Sequence, residues 1–87
     1  MQAWKFEQKV FEREGVRIVI RAPSDANVQK FAYDRGAKGN TSVASWLETR
    51  IYPLTGDHEV MVVNGHGEIY PHGSTHMSTL RATYEVD

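Results

Sequence analysis

The chain has no cysteine, which excludes disulfide frameworks, thiolate zinc sites and cysteine nucleophiles. Small secreted domains usually carry disulfide staples, so this absence points to a reducing compartment, and the cytoplasm is expected. Long apolar runs are missing too. The longest, at 60–63, has four residues, against the roughly 20 that cross a bilayer. The opening stretch MQAWKFEQKVFERE mixes charges with aromatics and has no apolar signal core. Proline is scarce, and Pro23, Pro53 and Pro71 each punctuate the pattern. There is no G-x-S-x-G elbow, no H-E-x-x-H pair and no strand–glycine–helix dinucleotide fingerprint. No cofactor, metal or catalytic residue is therefore assigned.

Positive charge is thin in the second half. Positions 1–50 hold nine Lys and Arg against six Asp and Glu, whereas 51–87 hold only Arg81 against five acids. Such an asymmetry fits either a face for an acidic partner or two halves that neutralise each other across a sheet. The 87 residues are expected to form one domain, burying about 60–65% of the unfolded surface.

What is present is led by His58–Gly67, HEVMVVNGHG. The run Val60, Met61, Val62, Val63 fits a strand covered on both faces, and Asn64-Gly65 is the dipeptide of a tight hairpin. Two alternating segments precede it. From Ala3 to Glu12, Trp4, Phe6 and Val10 share one face. From Val16 to Ala22, Val16, Ile18 and Ile20 do the same, and together these predict a hairpin. Ser24-Asp25 followed by Val28, Phe31 and Ala32 predicts a short helix ending near Arg35. GAKGN at 36–40 reads as a loop. Thr41 or Ser42 then caps a second helix with Val43, Trp46, Leu47, Arg50 and Ile51 on one stripe, ended by Pro53. A short return strand at 68–70, a loop or single helical turn at 73–79 and a last alternating strand from Leu80 to Val86 complete the pattern.

The expected fold is α+β: an antiparallel sheet of four or five strands, in the order β-β-α-α-β-β-β, with two helices packed on one face. The last strand beside the first would set Glu85 and Asp87 against Lys5 and Lys9.

The four histidines, His58, His66, His72 and His76, fall within 19 positions. His72 and His76 are spaced i, i+4, but Pro71 and Gly73 break the helix that this spacing needs. Aromatic and arginine side chains are the common anchors of interfaces. Tyr52, beside Pro53, and Tyr70 and His72, around Pro71, belong to this class. With Arg50, His66 and Arg81 they form the expected binding set. Lys5, Lys9, Arg17 and Arg21, on the outer face of the first hairpin, would be the route to nucleic acid, although the pI of about 6.4 is low for that role. The function expected first is a small non-catalytic protein that binds and blocks a macromolecular partner, more readily protein than nucleic acid. Phage and mobile-element inhibitors of the anti-CRISPR kind are built at this scale. The alternative is a small toxin-like nuclease or hydrolase using the His58–His76 region with Arg81.

Overall fold

The structure, a computed structural model, describes residues 1–70 and 72–85. The elements are α1 (Ala3–Glu14), β1 (Arg17–Ile20), α2 (Val43–Trp46), a π-helical turn (Leu47–Ile51), α3 (Tyr52–Thr55), β2 (Val60–Val63) and α4 (Met77–Ala82). Because α2, the π turn and α3 run on without a break, the described residues form three helical segments and one antiparallel sheet of two strands. The α+β class stands. The four or five strands, the two helices and the β-β-α-α-β-β-β order do not.

The first correction is α1, which replaces the first predicted strand. Trp4, Phe6 and Val10 suit a period of two, but the buried residues are Ala3, Phe6, Val10 and Glu14, one stripe of a helix. The loop that follows β1 caps it: Ala26 and Ser24 carbonyls accept from the free Ala3 and Trp4 N–H groups at 2.8 and 3.2 Å. Gly15, at φ 73°, ends it in the left-handed conformation.

The predicted helix at 25–35 is irregular backbone. Of its three apolar positions only Phe31 is buried, too little to hold a helix down. The segment bonds outward instead, with Val28 N–H donating to the Met1 carbonyl at 2.8 Å and Gln29 N–H to the Leu54 carbonyl at 2.9 Å.

The second predicted helix forms where expected. Ser42 caps it by accepting from Ser45 N–H at 3.1 Å, and Val43, Trp46 and Ile51 face the core. Pro53 does not end it. The turn widens just before, with Tyr52 N–H reaching back to the Leu47 carbonyl, and Pro53 falls in the first turn of α3, where a missing N–H costs little. The Thr49 carbonyl, four residues before Pro53, accepts the Tyr33 hydroxyl at 3.4 Å.

β1 and β2 pair in register, Arg17 with Val63 through Ile20 with Val60. Ile18, Ile20 and Val62 point into the core, which also holds Phe6, Val10, Trp46, Met77 and Leu80. The return at 68–70 is one isolated bridge, Val63 to Ile69. Its turn differs in detail from the expected one. Positive φ falls on Gly67, not on Asn64 or Gly65, and the Asn64 carboxamide oxygen accepts from His66 and Glu68 N–H groups at 2.9 and 3.0 Å. Gly65 is needed for a different reason: a Cβ there would collide with the Thr83 carbonyl. The last predicted strand is also corrected, since Leu80–Ala82 belong to α4 and Val86 and Asp87 lie outside the described residues. With α1 helical and no strand among residues 80–85, the predicted facing of Glu85 to Lys5 and Lys9 has no sheet to carry it.

Glu14 is the charged residue of the core, its side chain fully buried. It accepts from Ala37 N–H at 2.7 Å, Arg50 Nη1 at 2.8 Å and Arg81 Nη2 at 3.1 Å. Arg81 also donates from Nε to the Glu14 carbonyl and from Nη1 to the Ala37 carbonyl, both at 2.7 Å. Glu14→Ala strands two arginines, so urea unfolding should show a loss of about 3–5 kcal/mol. Arg21→Ala, which removes an exposed pair, should change stability by no more than about 0.5 kcal/mol. In thermal melts, Gly65→Ala should cost more than Gly67→Ala, because it must push the 83–84 backbone away, whereas the Gly67 site is open and costs only about 1–2 kcal/mol of left-handed strain.

Candidate interaction surface

Register decides what the sheet shows to solvent. Ile18 and Val62 face inward, so their neighbours Arg17, Val19, Met61 and Val63 share the outer face, and Ile69 joins them through its bridge to Val63. A strand written VMVV is what a two-sided burial would use. Here only Val62 is buried, Met61 and Val63 are half-buried, and Val19 and Ile69 are 41% and 60% exposed. The outer face is apolar and open, contrary to the expectation of a strand covered on both faces.

A groove flanks it at each side. One, of about 530 Å³, runs between α1 and β1 and is lined by Trp4, Gln8, Phe11, Val19 and Val63 with Glu7, Glu12 and Arg17. Its floor is a strand edge already closed, because the Glu7 carboxylate accepts from Ile20 N–H at 2.8 Å. The other, of about 320 Å³, lies between the α2–α3 segment and β2, with Leu47, Tyr52, Met61, Ile69 and Tyr70 in it and Glu48 at the rim. Among the described residues, five of the six large exposed apolar side chains line these two grooves: Trp4, Phe11, Val19, Tyr52 and Ile69. Apolar area ringed by a few charges is the composition of a recognition surface.

Tyr84 packs against residues that line the first groove. Its ring meets Phe11 edge-on, centroids 6.1 Å apart, and Phe11 carries the Arg17 guanidinium 4.6 Å from its centroid. The Tyr84 hydroxyl stands in the sheet ladder itself, accepting from Arg17 N–H at 2.9 Å and donating to the Val63 carbonyl. Burial pushes the phenol above its ordinary range, and the Arg17 N–H and charge pull back only part of that shift.

Of the expected binding set, the structure brings Tyr52 and Tyr70 together in the second groove. His72 packs edge-on against Tyr70 at 5.1 Å. Arg50 and Arg81 meet on Glu14 and serve the core. His66 is exposed in the turn after β2. The histidines are spread out: His58 precedes β2 and His66 follows it, a strand length of about 13 Å, and His76 stands at the N-terminal position of α4 without a side-chain capping bond. Among the described residues no three His, Asp or Glu side chains group to hold a metal. The expected basic face of Lys5, Lys9, Arg17 and Arg21 does not exist, because α1 is a helix. Lys5 and Lys9 sit on it, Arg17 lies over Phe11, and Arg21 turns to Glu59.

Trp4, Phe11, Val19 and Ile69 were not in the expected set. Trp4 reads as core in an alternating pattern, and only the helical phase of α1 turns it outward. The available signal was VMVV itself, an excess of apolar residues for a strand with one covered face. Comparison of the chain with protein-family models, curated proteins and solved structures finds no match.

The Tyr84 phenol has a higher pKa folded than unfolded, so its contribution is complete below about pH 10 and is lost as pH rises through the folded value. Urea midpoints of the wild type should therefore fall above about pH 10 more steeply than those of Tyr84→Phe. Near pH 7 the variant should be less stable by about 1–2 kcal/mol, having left the Arg17 N–H and Val63 carbonyl without a partner.

Proposed function

We propose that this chain is a small non-catalytic binding protein that covers and thereby blocks part of another protein's surface. The observation that carries this reading is the concentration of exposed and half-buried apolar side chains on one route: Trp4 and Phe11 in the first groove, Val19, Met61, Val63 and Ile69 across the open sheet face, Tyr70 and Tyr52 in the second. Aromatic anchors at both ends of an apolar strip, with carboxylates and one arginine at the rim, suit a partner with a complementary apolar ridge. The free edge of β1 is stopped by Glu7, so contact through the face is favoured over strand addition. An inhibitor of the phage or mobile-element type is the biological setting that matches this size and mode.

The test is capture of a partner from nuclease-treated lysate on immobilised chain, with Val19→Glu/Ile69→Asp as the paired control. Both substitutions fall on exposed positions, and the variant should melt like the wild type. The expected result is a stoichiometric protein retained by the wild type and bound at least about tenfold more weakly by the variant. Equal capture by both would remove the sheet face as the contact.

A further inference from the structure

A second surface lies on the other flank of α1. Lys5, Lys9 and Arg13 follow one another at four-residue steps and are all exposed, a cationic row with about 6 Å between members. Lys5 leans over the Trp4 ring, 5.5 Å from its centroid, whereas Lys9 and Arg13 lie about 140–180° around the helix from Trp4 and Phe11. Where this row meets the irregular segment after β1, Lys9, Arg13, Lys30, Tyr33 and Asp34 line a pocket of about 300 Å³. The acids beside it are few. Asp34 is at the wall, Glu12 reaches Lys9 only at 3.9 Å across an exposed gap, and Glu14 is consumed by Arg50 and Arg81.

Tyr33 is what distinguishes this pocket from a plain charged patch. Its ring is fixed by three contacts: the Arg50 guanidinium 4.3 Å from the centroid, Phe31 tilted against it at 5.2 Å, and its hydroxyl on the Thr49 carbonyl. It is nevertheless 37% exposed. A rigid, partly open aromatic ring among three cations is the arrangement that takes a nucleotide, with the base stacked and the phosphates neutralised. We infer that this pocket binds single-stranded nucleic acid, with successive phosphates on Lys30, Lys9 and Arg13 and one base against Tyr33. A duplex keeps its bases stacked inside and offers Tyr33 nothing, and an acidic peptide would use the cations without the ring. This site shares no residue with the open sheet face, so either can fail without the other.

The test is fluorescence anisotropy of a short labelled oligodeoxyadenylate titrated with the full chain. Saturable binding is expected that weakens about 20-fold between about 50 and 200 mM salt, the dependence of about three phosphate contacts to a single strand. Lys9→Gln/Arg13→Gln/Lys30→Gln should abolish binding, whereas Arg21→Gln, which follows β1, pairs with Glu59 and does not line the pocket, should leave it unchanged. Tyr33→Leu should weaken it about tenfold at an unaltered salt slope, and Tyr33→Phe, which keeps the ring, should bind like the wild type. Each variant is compared at a melting temperature matching the wild type, and if Tyr33→Leu melts early, Tyr33→Trp, expected to bind at least as tightly as the wild type, takes its place. Absence of binding, a triple variant that binds normally, indifference to the ring at position 33, or equal displacement by oligoglutamate would each overturn the assignment.

Discussion

A carboxylate cut off from water at the end of a helix is the most expensive group in this molecule, and much of the architecture follows from how it is compensated. Glu14 ends α1, where the helix dipole already disfavours negative charge, and burying an ion costs several kcal/mol before any partner is counted. Arg50 from the π turn, Arg81 from α4 and the Ala37 amide supply what is needed. Arg81 additionally takes the Glu14 carbonyl, one of the acceptors that α1 leaves open at its end. One side chain thereby fixes three distant segments against α1. Both surfaces described above depend on it: the helical wall of the second groove carries Arg50, and the same arginine stiffens Tyr33.

Parts of this were legible in the residues. Val16, Ile18 and Ile20 alternate and are buried, and β2 lies where the only four-residue apolar run lies. The helix around Trp46 was visible from its stripe and its serine cap. Tyr52, beside Pro53, is exposed as its neighbour suggests, whereas Tyr70, before Pro71, is half-buried and packs against the core. Arg50 carried a signal that was misread. An arginine that interrupts an apolar stripe points inward, and an inward arginine requires a buried acid.

The failures have physical causes. Phe6 and Val10 are spaced by four, which a strand and a helix both place on one face, so α1 was decided by Ala3 and Glu14, one small and one charged, neither of which announces a core. Leu80, Ala82 and Tyr84 alternate by coincidence in a stretch where helix ends and chain turns, and their backbone is shaped by Arg81 and by the fit of Thr83 against Gly65. The 25–35 segment has helix-like spacing without enough buried area to sustain it, and its amides go instead to Met1 and Leu54. The errors at the first and last predicted strands enlarged the sheet, and a larger sheet would have hidden the open face.

The two tryptophans sit in opposite surroundings. Trp46 is fully enclosed, with an indole N–H that meets no acceptor among the described residues, whereas Trp4 is 45% exposed at the mouth of a groove and donates to Gln2. Their emission therefore separates by colour: a blue component from the dry interior and a red one from the wetted rim. The chain carries its own pair of optical reporters, one following integrity of the interior and the other following occupancy of the groove, without any added label.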